Sequence, residues 1–195
     1  MLRPTFAALL VAASLATSGA AFAQSPVMVG GAPMYANKTI AQNAPEAPNL
    51  KTLVAAVKAA GLVDTLASKG PFTVFAPTDA AFAKLPKGTV ETLVKPENKA
   101  ALTRILTYHV VAGDYSAERL MRDARRNGGE VHLKTVEGEP LTVKMSGKRL
   151  VVIDRTGKAA TIQTPDVKQA NGVVHVVGSV LMPKPQPKPK SGKMG

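Results

Sequence analysis

The hydrophobic pattern of the chain changes its period near Asn127–Gly129. Before that point apolar residues recur every three or four positions, as expected for one face of a helix. The clearest such stripe is Leu50, Leu53, Val54 and Val57. After that point apolar and polar residues alternate in short segments, separated by Glu137-Gly138, Ser146-Gly147 and Thr156-Gly157. This alternation is typical of antiparallel strands joined by tight turns. The sequence therefore predicts an α+β domain with its helices first and a β meander after them.

The first 36 residues are predicted to lie outside that domain. Arg3 precedes the uncharged apolar run of residues 6–15, and Ala21-Phe22-Ala23 fits a signal-peptidase site. We therefore predict a secretory signal peptide over residues 1–23, cleaved after Ala23 and too short for a membrane span. Residues 24–36 are rich in glycine and proline and are expected to form a leader or linker loop. Export to the periplasm or the medium follows from this prediction, with no transmembrane segment in the mature protein.

The net charge of the chain is strongly positive and has two sources. The 195 residues carry 25 Lys and Arg against 13 Asp and Glu, a formal charge of +12. Arg3 and four lysines of the proline-rich segment 184–195 account for five of these bases, which leaves a net +7 on residues 24–183. Alternating prolines favour an extended, disordered tail over residues 184–195. Specific nucleic-acid binding is disfavoured, because few aromatic side chains are available to stack on bases and the protein is exported.

Catalytic and metal-binding patterns are absent from the sequence. There is no cysteine, so disulfides and thiolate metal sites are excluded. The three histidines, His109, His132 and His175, are far apart and show no metal-ligand spacing. No nucleophile elbow, phosphate-binding loop or dinucleotide fingerprint occurs. We predict no enzymatic activity, no catalytic residues, no metal and no cofactor.

One segment has a clear local interpretation from its residues alone. Phe72 and Phe75 are three positions apart in a short predicted strand, so they should face opposite sides of it. Pro77 ends the strand, and Thr78 or Asp79 caps the helical turn that follows. We expect Asp79 to satisfy amides of that turn and so to be structural rather than catalytic.

Three ordered motifs resemble those of the fasciclin (FAS1) domain family. They span residues 70–82, 107–111 and 171–183. The resemblance covers residues 37–183 and implies a helical lobe packed on an antiparallel β meander or sandwich. It also implies a non-enzymatic adhesion or interaction module, similar to secreted single-domain bacterial proteins. The residues that carry its structural signature are Phe72, Phe75, Pro77, Thr78, Asp79, Phe82, Asn171, Gly172 and His175. Tyr108 and His109 match the Tyr-His segment, which the family links to adhesive contacts; the resemblance also implies that His109 is a buried, hydrogen-bonded organiser.

Basic residues supply the candidate partner-binding positions. They are Arg119, Arg122, Arg125 and Arg126 on a helix predicted over residues 117–126 and capped by Ser116, together with Lys184, Lys188 and Lys190 of the tail. A further basic group occurs in the predicted hairpins: Lys144, Lys148, Arg149, Arg155 and Lys158. These residues are either a solvated basic face or a surface for extracellular or envelope proteins and glycans, anionic polysaccharides among them.

Two alternative functions remain open at this point. One is a module that sequesters a small ligand in a pocket between the helical lobe and the sheet. The other is a structural component of the envelope. Since a single copy lacks the avidity of tandem repeats, firm adhesion would need a multimer, a multivalent ligand or peripheral envelope contact through the basic tail.

Overall fold

The computed structural model describes residues 26–184. The predicted signal peptide and the tail beyond Lys184, including Lys188 and Lys190, lie outside the described residues. Within the described part, no helix combines the length and the apolar character needed to cross a membrane.

All seven described α-helices precede the β meander, and the first six form a helical lobe. They are α1 (Ile40–Asn43), α2 (Lys51–Ala60), α3 (Val63–Ala67), α4 (Asp79–Ala83), α5 (Thr89–Leu93) and α6 (Lys99–Tyr108), and the seventh is α7 (Ala117–Arg126). Helix α2 forms where the apolar stripe predicts it, with Leu53, Ala56 and Ala60 buried. It ends at Gly61, whose φ of 73° is the left-handed conformation that glycine adopts most easily.

The strands form a two-stranded hairpin and one seven-stranded sheet. The hairpin pairs β1 (Val27–Val29) with β2 (Ala32–Met34). The sheet contains β3 (Phe72–Pro77), β4 (Val110–Ala112), β5 (Glu130–Lys134), β6 (Pro140–Ser146), β7 (Arg149–Ile153), β8 (Ala159–Gln169) and β9 (Gly172–Val177), in the order β4-β3-β9-β8-β7-β6-β5. The α+β class and the order of helices before the meander are thereby confirmed.

The pairing of the sheet differs from the expected all-antiparallel arrangement in one place. Strands β5 to β9 form an antiparallel meander, but β9 pairs with β3 in parallel, with Phe75 opposite His175. A parallel pair is possible because nearly the whole domain lies between these strands and supplies the crossover. A sandwich does not form, because the sheet curls until its edges meet: Val111 bridges to Thr135, and the Val136 N–H donates to the Val110 carbonyl at 2.7 Å.

Strand β3 separates two hydrophobic clusters. Phe72, Val74 and Ala76 pack against the helical lobe, whereas Phe75 is fully buried on the other side, inside the curled sheet. The prediction that Phe72 and Phe75 face opposite sides is therefore confirmed. Helix α7 covers the inner cluster and contributes Leu120 to it.

Two local expectations are wrong. Residues 27–34 form the hairpin rather than a loop, because Gly30 and Gly31 take positive φ values of 61° and 91° at its turn. Val29 and Met34 bury against the helical lobe, so the hairpin packs on the domain. The mostly apolar residues 173–182 predict a strand pair, whereas the structure has one strand there, which ends at Val177. The chain beyond it is irregular, although Leu181 is buried in the inner cluster.

Candidate functional site

The Tyr-His segment lies at the end of α6 and is buried. The side chains of Tyr108 and His109 have 0% and 2% of their surface exposed. The Tyr108 hydroxyl donates to the Pro140 carbonyl at 3.2 Å and accepts from the Arg155 N–H at 3.1 Å. Burial raises the pKa of Tyr108 from 10.0 to about 12. This hydroxyl therefore joins α6 to the meander and stays protonated at neutral pH.

His109 has a defined donor and a defined acceptor. Its Nδ1 is 2.8 Å from the Ile105 carbonyl, to which only a protonated nitrogen can donate. Its Nε2 accepts from the Leu181 N–H at 3.0 Å, so this nitrogen is unprotonated and the ring is neutral. Burial lowers the pKa of His109 from 6.5 to about 4. His109 thus fixes the closing segment against the end of α6.

His175 makes a comparable connection from β9. Its ring stacks on Phe75 with 5.6 Å between centroids, its Nε2 donates to the Tyr115 carbonyl at 2.7 Å, and its Nδ1 accepts from the Asp166 N–H at 3.2 Å. Asp166 in turn accepts from the N–H of Ala117, the first residue of α7, at 2.7 Å. Burial lowers the pKa of His175 as well. The buried imidazole therefore helps to position the start of α7.

These positions correct the expectation that Tyr108 and His109 contact a partner. Their polar atoms are bonded to backbone groups inside the domain, and their surfaces are covered by the curled sheet and the closing segment. Neither side chain can touch a partner in this structure. The burial of His109 agrees with the role that the family resemblance implies, whereas the segment itself does not show it, since it depends on strands that follow much later in the chain.

Asp79 caps a helix, but not the one expected. Thr78 caps α4 by accepting from the Ala81 N–H at 3.2 Å. The Asp79 carboxylate instead accepts from the Thr52 N–H at 2.8 Å, in the first turn of α2. It therefore holds the start of α2 against the end of β3, where Pro77 is buried, and Phe82 packs into the same helical lobe.

Asn171 and Gly172 fasten the last turn to the helical lobe. The Asn171 side chain accepts from the Ile40 N–H at 3.0 Å and donates to the Leu66 and Ser68 carbonyls at 2.7 and 2.9 Å. A Cβ on Gly172 would lie 2.0 Å from the Phe72 carbonyl oxygen, so only glycine fits. Asn171 therefore provides hydrogen-bond partners for backbone groups of the helical lobe. Gly172 allows the backbone to pack closely against Phe72.

Helix α7 forms as predicted and exposes most of its basic residues. Ser116 caps it by accepting from the Arg119 N–H at 3.3 Å. Arg119 folds back: its guanidinium lies 4.5 Å from the Tyr115 ring centroid and 3.7 Å from the Asp123 carboxylate. The arginine at position 119 is therefore partly neutralised. An i, i+4 pairing with Asp123 is a local signal from which this could have been predicted.

Helix α7, which carries the remaining arginines, borders a groove. Arg122, Arg125 and Arg126 are exposed and form no salt bridge with any described residue. Met121, one turn before Arg125, lines a groove of about 600 Å³ between α7 and strands β7 and β8. Lys148 and Arg149 line the same groove. We call Arg122, Arg125, Arg126, Lys148 and Arg149 the basic surface.

The start of the tail lies away from the basic surface. The backbone N–H of Lys184 donates to Glu139 at 2.9 Å, and Arg104 binds both Glu139 and Glu137, at 2.8 and 2.7 Å. Glu139 directly precedes β6, whereas Lys148 follows the far end of that seven-residue strand. At about 3.4 Å per residue, roughly 20 Å separates the two ends. The described lysine of the tail is thus not part of the basic surface.

The histidines do not come together. His132 is exposed and bonds to Thr142 at 3.0 Å, while His109 and His175 are each enclosed by backbone partners. Within residues 26–184, no group of three His, Asp or Glu side chains is placed to hold a metal ion.

Comparison with known proteins identifies the family. The family model of the fasciclin domain matches residues 48–183. This chain belongs to the fasciclin family. Its relatives include protein sll1483 of Synechocystis, 48% identical over 145 residues that cover 74% of this chain and 73% of the relative. Immunogenic protein MPB70 of Mycobacterium bovis is 38% identical over 185 residues, covering 92% and 86% of the two chains. Cell surface glycolipoprotein MPB83 of the same species is 37% identical over 169 residues, covering 84% and 69%.

A solved structure confirms the fold of this FAS1 domain. It is a pair of FAS1 domains from the insect cell adhesion molecule fasciclin I, matched with a TM-score of 0.67 at 22% identity. The match covers 74% of this chain and 51% of that one, as expected when one domain is compared with two. The predicted FAS1-like architecture is therefore correct.

Proposed function

We propose that this FAS1 domain is an exported, non-enzymatic adhesion module whose partner is an anionic glycan or an acidic protein of the envelope or the extracellular space. The names of two related proteins support such a location and role, since MPB83 is a cell surface glycolipoprotein and fasciclin I is a cell adhesion molecule. Export would depend on the predicted signal peptide.

The basic surface carries the proposal. Two of its five cationic side chains, Lys148 and Arg149, line the groove, and the three arginines of α7 form no salt bridge with any described residue. Unpaired cations on one face attract a polyanion and orient it during encounter. Because the Debye length at physiological salt is about 8 Å, binding through exposed charges should weaken steeply as salt is added.

Binding rather than catalysis is supported by the buried titratable groups. Catalytic acids and bases usually have shifted pKa values and face a cleft that a substrate can enter. Here burial shifts the pKa values of Tyr108, His109 and His175, but each of these side chains is bonded to backbone groups in the interior. None of them can reach a substrate without opening the fold.

The test is retention of the chain from residue 24 onward on an immobilised acidic polysaccharide at increasing salt. The variant Arg122→Gln/Arg125→Gln/Arg126→Gln should elute at clearly lower salt. A matched variant, Lys51→Gln/Lys87→Gln/Lys99→Gln, removes the same charge from exposed sites of the helical lobe and should elute nearly as the parent does. Equal effects of the two variants would show that only net charge matters.

Two further experiments test the contribution of the basic tail and the alternative role as a structural envelope component. Deleting residues 185–195 removes the rest of the basic tail while keeping the Lys184 bond to Glu139, and so measures the contribution of the tail. Fractionation of native cells tests a structural envelope role. Retention with the cell wall in high salt would favour that role over a salt-sensitive contact with a polyanion.

A further inference from the structure

The helical lobe encloses a cavity against one face of the sheet. Its volume is about 90 Å³, and its wall is almost entirely apolar. Helix α2 contributes Leu53, Val54 and Val57, while strands β3 and β9 contribute Val74 and Val174. The hairpin β1–β2 closes one side with Val29 and Met34. The cavity shares no residue with the basic surface.

The polar side chains in the buried part of the wall already have partners. Asn43 donates to the Tyr35 carbonyl at 2.7 Å and accepts from the Tyr35 N–H at 3.2 Å. Thr107 donates to the Thr103 carbonyl at 2.8 Å, and both nitrogens of His109 are bonded to backbone groups. A water molecule needs two to four polar partners to occupy a cavity, so this one favours an apolar occupant.

The cavity reaches the surface at apolar residues. Val63, at the start of α3, and Val136, in the turn between β5 and β6, both line it while 38% and 45% of their surfaces are exposed. They are two of the four large hydrophobic side chains exposed among residues 26–184. Lys58, an exposed basic residue near the end of α2, also lines the cavity.

We propose that this cavity binds the alkyl chain of a small single-chain carboxylate, with the carboxylate at the surface beside Lys58. The size of the cavity favours a narrow alkyl chain over a ring, because it is smaller than the engineered cavity of roughly 150 Å³ that binds benzene. The charge at the opening favours an anionic head group. This site lies in the helical lobe and is independent of the partner binding proposed for the basic surface.

A chain-length series tests the site directly. Binding of butanoate, hexanoate, octanoate and decanoate is measured by NMR titration of the chain from residue 24 onward, at concentrations below ligand aggregation. Each added methylene that enters the cavity should tighten the dissociation constant by about fourfold, the equivalent of its transfer free energy. The gain should stop once the cavity is full. Absence of binding, or affinity that does not depend on chain length, would overturn the proposal.

Substitutions that fill the cavity distinguish binding inside it from binding at the protein surface. Ala41→Leu fills the cavity from α1, and Val54→Leu fills it from α2. Each should weaken octanoate binding at least about tenfold, whereas Ala59→Leu on the exposed side of α2 should leave it unchanged. Thermal unfolding confirms that each variant is folded. Octanoate binding that both filling variants retain would place the ligand elsewhere and refute the site.

The role of Lys58 in binding the carboxylate head group is tested by removing the charge from the protein or from the ligand. Lys58→Gln should weaken octanoate several-fold and leave 1-octanol, which has the same chain without the charge, unchanged. An equal effect on both ligands would contradict the role of Lys58. If the carboxylate-binding experiments fail, the proposed salt-dependent retention through the basic surface is unaffected. If the retention experiment fails, the proposed cavity site is unaffected.

Discussion

Acidification should destabilise this domain through His109, and the size of the effect follows from its pKa. The folded protein holds His109 neutral with a pKa lowered by burial to about 4, whereas the unfolded chain takes up the proton near 6.5. Unfolding therefore binds a proton below pH 6.5, so the stabilisation is complete above that value and declines as the pH falls towards 4. At 1.36 kcal/mol per pKa unit, the loss is about 2 kcal/mol at pH 5 and about 3 kcal/mol at pH 4.

The hydrogen bonds of His109 also indicate that acidification destabilises the folded state. Protonating His109 would place an Nε2–H against the Leu181 N–H, which now donates to that nitrogen at 3.0 Å. His175 adds to the effect, because its Nδ1 accepts from the Asp166 N–H and burial lowers its pKa too. Protonation of His109 and protonation of His175 would each weaken a hydrogen bond that holds a segment of the chain against the hydrophobic cluster inside the curled sheet.

The assay is urea denaturation between pH 4.5 and 8, with the free energy of unfolding compared between the parent and His109→Gln. The variant should be less stable at pH 7 but should lose less stability on acidification, so the difference between the two curves should shrink by about 2 kcal/mol near pH 5. His132→Gln makes the same change at an exposed histidine and is the matched control for the substitution. A parent-minus-variant difference for His109→Gln that stays flat from pH 8 to 4.5 would refute this explanation.

Two substitutions test the packing. Phe75→Ala should cost about 3–5 kcal/mol, because its ring is fully buried inside the curled sheet and stacks on His175. An unchanged melting temperature for this variant would contradict the position of β3. Asp79→Ala should cost about 1 kcal/mol by freeing the Thr52 N–H, with hydrogen exchange increasing at the start of α2. Faster exchange at the start of α4 instead would show that Asp79 caps its own helix.

The sequence predicted those parts of the fold that depend on local patterns. Helix α7 runs from the cap at Ser116 to Arg126 as expected, because cap and apolar spacing are read within one segment. The hairpin β1–β2 was missed, since strands of three residues show no usable period. The parallel pairing of β3 with β9 depends on contacts about 100 residues apart, which no local pattern encodes.

Some features of the candidate site could likewise be predicted from local sequence patterns, whereas others depend on contacts between distant segments. The exposed arginines of α7 follow from helical spacing, whereas the contribution of Lys148 and Arg149 depends on the hairpin that packs beside the helix. The burial of Tyr108 and His109 likewise depends on strands that follow them. Asp79 was recognised as a cap, but its partner Thr52 lies 27 residues away and could not be identified from sequence.

The basic surface is the central functional claim, and an affinity comparison tests it most directly. The dissociation constant for a soluble acidic polysaccharide is measured at 0.15 M salt for the parent, for Arg122→Gln/Arg125→Gln/Arg126→Gln and for the matched helical-lobe variant. Three lost surface contacts of up to 1 kcal/mol each should weaken binding by the α7 variant on the order of tenfold. The matched variant should stay within about twofold of the parent. Equal affinities for the parent and the α7 variant would contradict the account.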